Sequence, residues 1–309
     1  MPLDPLVKAF LDQMKALGGP KMSEAGPAVA RETFNGLMQM VGPKDVPVGK
    51  IENRLVSGPG GDIPIRVFSP VAAGGEPMPA LVYYHGGGFV IGNIDSHDGL
   101  CRMMANEGNL RVISVDYRLA PEHKYPAAFD DALATLNWVA QNAAEIGVDA
   151  NRIAVGGDSA GGALAAEVAQ QAKKGVVAAQ MLLFPVTQIG AETNSLREFA
   201  VGYFLEKETL DWFYASYLPD GVDKNDPRIS PLRAKDASGL PPAYIMLGGF
   251  DPLHDEGMQY ADKLRAAGVK VQVVDHTDMV HCFVYLQSVL PQAHDALAAA
   301  AKAVAGMLK

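Results

Sequence analysis

The sequence predicts an α/β fold with a mostly parallel sheet and helices on both faces, and two observations carry that prediction. Compact apolar runs alternate with helical patterns: Val112-Ile113-Ser114-Val115, then Ala127 to Asn142 at helical spacing, then Ile153 to Val155, then Met181-Leu182-Leu183-Phe184. Strands that alternate with helices form parallel sheets covered on both sides, so each strand reads as a continuous apolar run. The second observation is Gly157-Asp158-Ser159-Ala160-Gly161, followed at once by Gly162. Arg152 to Val155 reads as a strand before it and Ala163 to Ala169 as a helix opening after it, which makes strand, tight turn and helix with a serine at the apex. Glycines flanking the turn let the backbone reverse without a Cβ clash and present the hydroxyl above the strand end.

Composition narrows the function classes. The 309 residues are 49% hydrophobic and 20% charged, ordinary for a globular protein with a substantial core. A formal net charge of -9 argues against nucleic acid or an anionic membrane as the main partner, because both attract basic surfaces. Cys101 and Cys282 stand far apart with no metal-ligand spacing, so they read as buried reduced thiols and no metal site is expected. Met1-Pro2-Leu3-Asp4 has no basic segment leading into an apolar core, and there is no run of about 18 apolar residues, so a cytoplasmic protein is expected.

The remaining elements follow in order. Leu3, Leu6, Val7, Phe10, Met14 and Leu17 recur at helical spacing, closed by Gly18-Gly19-Pro20. A second helix is expected from Ser23, as its cap, to Met40. Alternation over Val48 to Val56 and Ile63 to Phe68, with a turn-rich connection between, reads as a hairpin. Ala80 to Tyr84 is a strand that runs into His85-Gly86-Gly87-Gly88-Phe89. Three consecutive glycines weaken regular structure unless the backbone must approach something closely. Such a loop can aim backbone N–H groups at a substrate oxyanion, with the N–H of Ala160, just after the serine, supplying another.

From Val186 to about Pro231 the rhythm breaks. Phe199, Tyr203, Phe204, Trp212, Phe213, Tyr214 and Tyr217 gather there in a chain with only 7% aromatic residues. This reads as an insertion that covers something, together with the first forty residues. The rhythm returns with the strand Ala243 to Leu247, Asp251 just beyond it, a helix from Glu256 to Ala267, and the strand Val269 to Val274. His276, Asp278, Met279 and His281 are expected on a loop, and an Ala-rich helix from Gln287 to Leu308 closes the chain. No repeat or linker is visible, so one domain with a cap is expected, the cap formed by about 1–45 and 187–230.

The chemistry lies in the chain order Ser159, Asp251, His281, each just past an expected strand. A serine at its free pKa is a poor nucleophile and needs a base in hydrogen-bond reach, and the base needs a carboxylate to fix its tautomer. Of the seven histidines, His85 belongs to the glycine loop, His97 and His123 precede the serine, His254 lies too near Asp251, and His294 falls on the last helix. His276 is the rival, but it directly ends a strand, whereas His281 sits further along the loop.

With these residues in place, the sequence resembles the hormone-sensitive-lipase-like branch of the α/β-hydrolases, the bacterial family IV esterases. The resemblance rests on His85 to Gly88, on Asp116-Tyr117-Arg118-Leu119-Ala120-Pro121-Glu122-His123, on Gly157 to Gly162, and on Asp251-Pro252-Leu253 followed by Asp255-Glu256. It implies an eight-stranded, mostly parallel sheet with a helical cap, and hydrolysis of short or medium acyl esters without a cofactor, often by homodimers. It also implies Ser159 as nucleophile, His281 as base, Asp251 as its orienter, and Gly87, Gly88 and Ala160 as oxyanion donors, with His85, Gly86, Gly157, Asp158 and Gly161 as motif support. The family usually shows His-Gly-Phe at the base, where this chain has His281-Cys282-Phe283.

Other constellations read more plainly. Asp95, His97 and Asp98 imitate a metal cluster but read as loop support, Asp255 and Glu256 as capping and charging the first turn of their helix, and Asp130-Asp131 as a solvated helix face. Two rival functions stay open at this level: a non-catalytic small-ligand receptor of the same fold, and an acyltransferase or amidase that uses the same serine.

Overall fold

The computed structural model describes residues 1–19 and 21–309. Pro20, expected to help close the first helix, lies outside the described residues. Among them the elements run α1 (Pro5–Leu17), α2 (Met22–Val41), β1 (Lys50–Gly58), β2 (Gly61–Ser69), β3 (Met78–Tyr84), α3 (Asp98–Gly108), β4 (Arg111–Val115), α4 (Ala127–Gln141), β5 (Val148–Asp158), α5 (Ala160–Gln171) and β6 (Ala179–Leu183). They continue with α6 (Asn194–Glu198), α7 (Lys207–Tyr217), β7 (Ala243–Phe250), α8 (His254–Ala266), β8 (Val271–Val280) and α9 (Pro291–Met307). The eight strands form one sheet in the order β1-β2-β4-β3-β5-β6-β7-β8. Only β2 runs against its neighbours; β4, β3, β5, β6, β7 and β8 are mutually parallel. Helices α3 and α9 pack together on one face, and α4 and α5 on the other. The central strands are therefore dry on both sides, which is why Ile153, Ala154 and Val155 are all fully buried.

Several elements depart from expectation for identifiable reasons. Helix α1 is capped by Asp4, whose Oδ1 accepts from the N–H of Leu6 at 2.7 Å. Ser23 is not a cap: α2 begins ahead of it at Met22, and its hydroxyl donates to Glu208 Oε1 at 3.0 Å. Helix α2 also kinks at Gly26, whose φ of 78° breaks the helix just before Pro27. Strand β8 runs on to Val280, so His276 and Asp278 belong to it and not to a loop. As the last strand of the sheet it keeps one edge unpaired, where polar residues are tolerated, and that polarity imitates a loop in the sequence. Helix α3 was not foreseen, although Leu100, Met103 and Met104 form its buried stripe and Asn109 closes it in the left-handed conformation.

Candidate active site

Ser159 stands between β5 and α5 with φ 53° and ψ -117°, an unfavourable conformation that costs about 1–3 kcal/mol and persists only where its surroundings enforce it. Here the Ser159 N–H donates to Leu183 O at 2.8 Å, and its carbonyl accepts from Ala163 and Val186. The elbow presses against the end of β3 so closely that a Cβ on Gly161 would sit 1.9 Å from Tyr84 O, and one on Gly157 would sit 2.4 Å from the same oxygen. Sequence spacing alone shows a glycine-rich turn; the neighbouring strand makes those glycines obligatory.

Strand register brings the other two residues together. Phe250 at the end of β7 pairs with Val280 at the end of β8, so the next residues, Asp251 and His281, leave the same sheet edge side by side. His281 Nδ1 lies 2.6 Å from Asp251 Oδ2, and His281 Nε2 lies 2.9 Å from Ser159 Oγ. Asp251 Oδ1 accepts from the Leu253 N–H at 2.8 Å, which fixes the carboxylate. A carboxylate can only accept, so Nδ1 carries the proton and Nε2 is left to accept from the serine. Burial opposes an imidazolium at His281, but the Asp251 carboxylate outweighs it and holds the ring well above the usual histidine range. Phe184 meets the ring at an angle of 63°, with centroids 5.7 Å apart.

The glycine loop arrives by the same logic. Tyr84 on β3 pairs with Gly157 on β5, so the chain that leaves β3 must pass beside the elbow. Gly87 and Gly88 both have positive φ, 118° and 60°, and a Cβ on Gly88 would lie 2.1 Å from the ring of Phe213. Among the described residues no backbone carbonyl accepts from the N–H of either glycine. Ala160 is the first residue of α5, where N–H groups have no partner within the helix. Three backbone donors are thus unspent around the serine. His85 at the loop's start is neutral, because burial pushes its ring down to about 3 with help from nearby His97. It donates from Nδ1 to Gly86 O at 2.8 Å and stacks on Tyr117 with centroids 4.3 Å apart.

A cavity of about 580 Å³ opens above these groups, lined by Ser159, His281, Gly87 and Gly88 below and by Leu11, Phe34, Leu37, Phe204, Leu205 and Phe213 from the helical side. The aromatic insertion therefore divides its labour. Phe204 and Phe213 face the cavity, while Tyr203 stacks on Phe250 with centroids 5.4 Å apart and Tyr217 on Phe89 at 3.9 Å.

Two minor expectations are corrected. Asp131 is not solvated: it is buried and holds Arg118 through the backbone N–H at 3.0 Å and two guanidinium bonds at 2.8 Å. Glu256 does not cap its helix but reaches across to accept from the N–H groups of Thr187 at 2.7 Å and Gln188 at 3.1 Å, and its burial pushes its carboxyl up to about 8. Asp255 likewise accepts from the Ser195 N–H at 3.0 Å. Asp95 and Asp98 bind Arg66 while His97 turns inward to Asp158, so the trio does not converge. Among the described residues no group of three or more His, Cys, Asp or Glu could hold a metal ion, and no helix is long and apolar enough to cross a membrane. Cys282, at the position where the resembled family usually has a glycine, takes the left-handed conformation with φ 52° that a glycine adopts freely, and its thiol is buried beside His281. Tyr285 was missed altogether; nothing local marks it, yet its hydroxyl reaches Asp158 and its side chain borders the cavity.

A mostly parallel eight-stranded sheet with a serine elbow after its fifth strand, and an aspartate and a histidine leaving its seventh and eighth, defines an α/β-hydrolase architecture. Residues 81–285 match the family model described as alpha/beta hydrolase fold. The chain is 41% identical over 302 residues to the carboxylesterase NlhH of Mycobacterium tuberculosis, covering 95% of this chain and 92% of that protein. It is 37% identical over 313 residues to an ethyl acetate hydrolase of Pseudomonas putida, covering 96% of each. Among solved structures, an ester hydrolase from the metagenome of Lake Arreo, complexed with a derivative of bipyridine phosphonate, shares 42% identity at a TM-score of 0.96 over 98% of both chains. The chain belongs to the alpha/beta hydrolase fold family, in its hormone-sensitive-lipase-like branch.

Proposed function

We propose that this protein is a serine carboxylesterase that hydrolyses short to medium acyl esters through an acyl-enzyme. The carrying observation is the unbroken relay from Asp251 through His281 to Ser159, with separations of 2.6 and 2.9 Å, at the floor of an apolar cavity. In this reading Ser159 Oγ attacks the ester carbonyl carbon while His281 Nε2 takes its proton. The N–H groups of Gly87, Gly88 and Ala160 receive the oxyanion, and the alcohol leaves with the proton returned by His281. Water, activated by the same imidazole, then releases the acid. Helices α1 and α2, with the segment from about 187 to 230, act as a cap that shapes the acyl and alcohol pockets. The names of the relatives support the same substrate class. A homodimer belongs to this reading through the resemblance, and a cytoplasmic location is proposed beside it; sedimentation and cell fractionation test them.

The test is a series of p-nitrophenyl esters of increasing chain length on the wild type and on Ser159→Ala. The variant is expected to lose roughly 10⁶-fold in kcat. Equal activity in both proteins would end the esterase reading, and a preference for long chains with interfacial activation would redirect it to a lipase. Competition of added alcohols or amines with water for the acyl-enzyme separates hydrolysis from acyl transfer.

A further inference from the structure

Behind the nucleophile lies a second buried cluster that the reaction as written does not use. Asp158 is fully buried, and its two oxygens are held from four directions. Oδ1 accepts from Tyr83 OH at 2.5 Å and from the Gly86 N–H at 3.1 Å. Oδ2 accepts from Tyr285 OH and faces His97 Nε2 at 3.6 Å. The carboxylate lies so close to the glycine loop that a Cβ on Gly86 would stand 2.1 Å from Oδ2.

His97 stands against the same carboxylate. Its Nδ1 lies 2.9 Å from Ser96 Oγ, which also lies 2.8 Å from Asn93 O and accepts from the Asn93 N–H at 2.9 Å. At the other end Nε2 meets the Asp158 carboxylate and, at 3.4 Å, Tyr285 OH, whose own proton is given to Asp158. Neither of these two neighbours has a proton to offer, so Nε2 is the donor toward them.

We propose that Asp158, with His97 as its partner, is the positioning device which registers the glycine loop and the base-bearing loop onto the nucleophile. Asp158 adjoins Ser159 in the chain, Gly86 adjoins the oxyanion donors Gly87 and Gly88, and Tyr285 stands on the 3-10 turn Phe283–Tyr285 just past His281. One carboxylate thus ties all three pieces of the site at a depth where unpaired charge is costly. His97 Nε2 faces it from the start of α3 at 3.6 Å. Asp158, His97 and Tyr285 touch no reacting atom; they act through the backbone they hold. The positioning role rests on the esterase reading.

The experiment is kinetic, with active sites titrated so that misfolded protein is not counted. Asp158→Asn is expected to lose on the order of 10²-fold in kcat per mole of titrated active sites, with KM within a few-fold, as a displaced oxyanion loop demands. Tyr285→Phe, which keeps the ring and removes one tie to Asp158, is expected to lower kcat in the same way by a smaller factor. Unchanged kcat per active site would reduce Asp158 to a purely structural group and overturn the positioning role.

Discussion

The two sides of the cavity are built on opposite terms. On the sheet side the two aspartates and the histidine are dry and hydrogen-bonded: Asp158 and Asp251 are fully buried and His281 is 4% exposed. On the helical side the attachments face solvent. Lys21 pairs with Glu208 near the cavity mouth, and Ser23 shares the same carboxylate. Arg31 on α2 reaches down to Val90 O at 2.8 Å and Ala120 O at 2.9 Å and pairs with exposed Glu122. Leu17 and Val201 remain open to water. Exposed ion pairs contribute little, since water screens them and holding long side chains costs entropy, whereas a buried bond cannot be lost without leaving a desolvated partner behind. The chemistry is fixed by the dry side, and the wet side is free to shape which ester enters.

Four substitutions break or sharpen that contrast. Asp251→Asn removes the charge that holds His281 above the usual histidine range, and kcat is expected to fall on the order of 10⁴-fold. Because the imidazole then gives up its proton more readily, the acid limb of the pH–rate profile moves to lower pH; an unmoved limb would show that the carboxylate does not set the base. Gly88→Ala acts at the joint between the two sides, since its Cβ would meet Phe213 at 2.1 Å and its φ is 60°. A loss of about 10²- to 10³-fold in kcat is expected, with partial recovery in the double variant that adds Phe213→Ala. No loss would remove Gly88 from the oxyanion site.

Glu256→Gln tests the dry side for stability. The wild-type carboxyl is raised by burial from 4.5 to about 8, so the folded state holds its proton more tightly than the unfolded chain does. Its contribution is complete below the unfolded value and is lost as pH climbs toward about 8, beyond which the loss is constant. The thermal midpoint of the wild type should therefore fall relative to the variant across that window, and parallel midpoints would refute the buried, raised carboxyl. The smallest effect belongs to Glu208→Ala on the wet side. Unchanged kcat and thermal midpoint are expected, with at most a few-fold change in KM for the longer esters; a large drop in kcat would mean that the exposed latch governs the chemistry.

The contrast also explains what could be read from the residues. Ser159 and Asp251 stand out because each directly follows a strand whose apolar run is visible, His281 because it follows both in the chain order, and the glycines around Ser159 and after His85 have no other local reason to cluster. Asp131 and Glu256 were misread because nothing near them in the chain marks their partners: Arg118 comes from a preceding loop, and Thr187 and Gln188 from the segment after β6. Polar residues on a helix are solvated until another element covers them, and that covering is a long-range event. His97 was read through its neighbours Asp95 and Asp98, while its side chain turns the other way. Strand β8 was cut short because an edge strand can carry the Asp and His residues that usually signal a loop.

By itself the sequence determined the alternation of strands and helices, the serine turn and the glycine loop, because these follow from local periodicity and from the steric freedom of glycine. Only the tertiary structure decided that the exits of β7 and β8 stand side by side, that four segments converge on Asp158, and that Glu256 lies in the dry interior. Those are consequences of strand register and burial, in which residues far apart in the chain share one dielectric environment, and no local pattern encodes which residue will be on the far side of it.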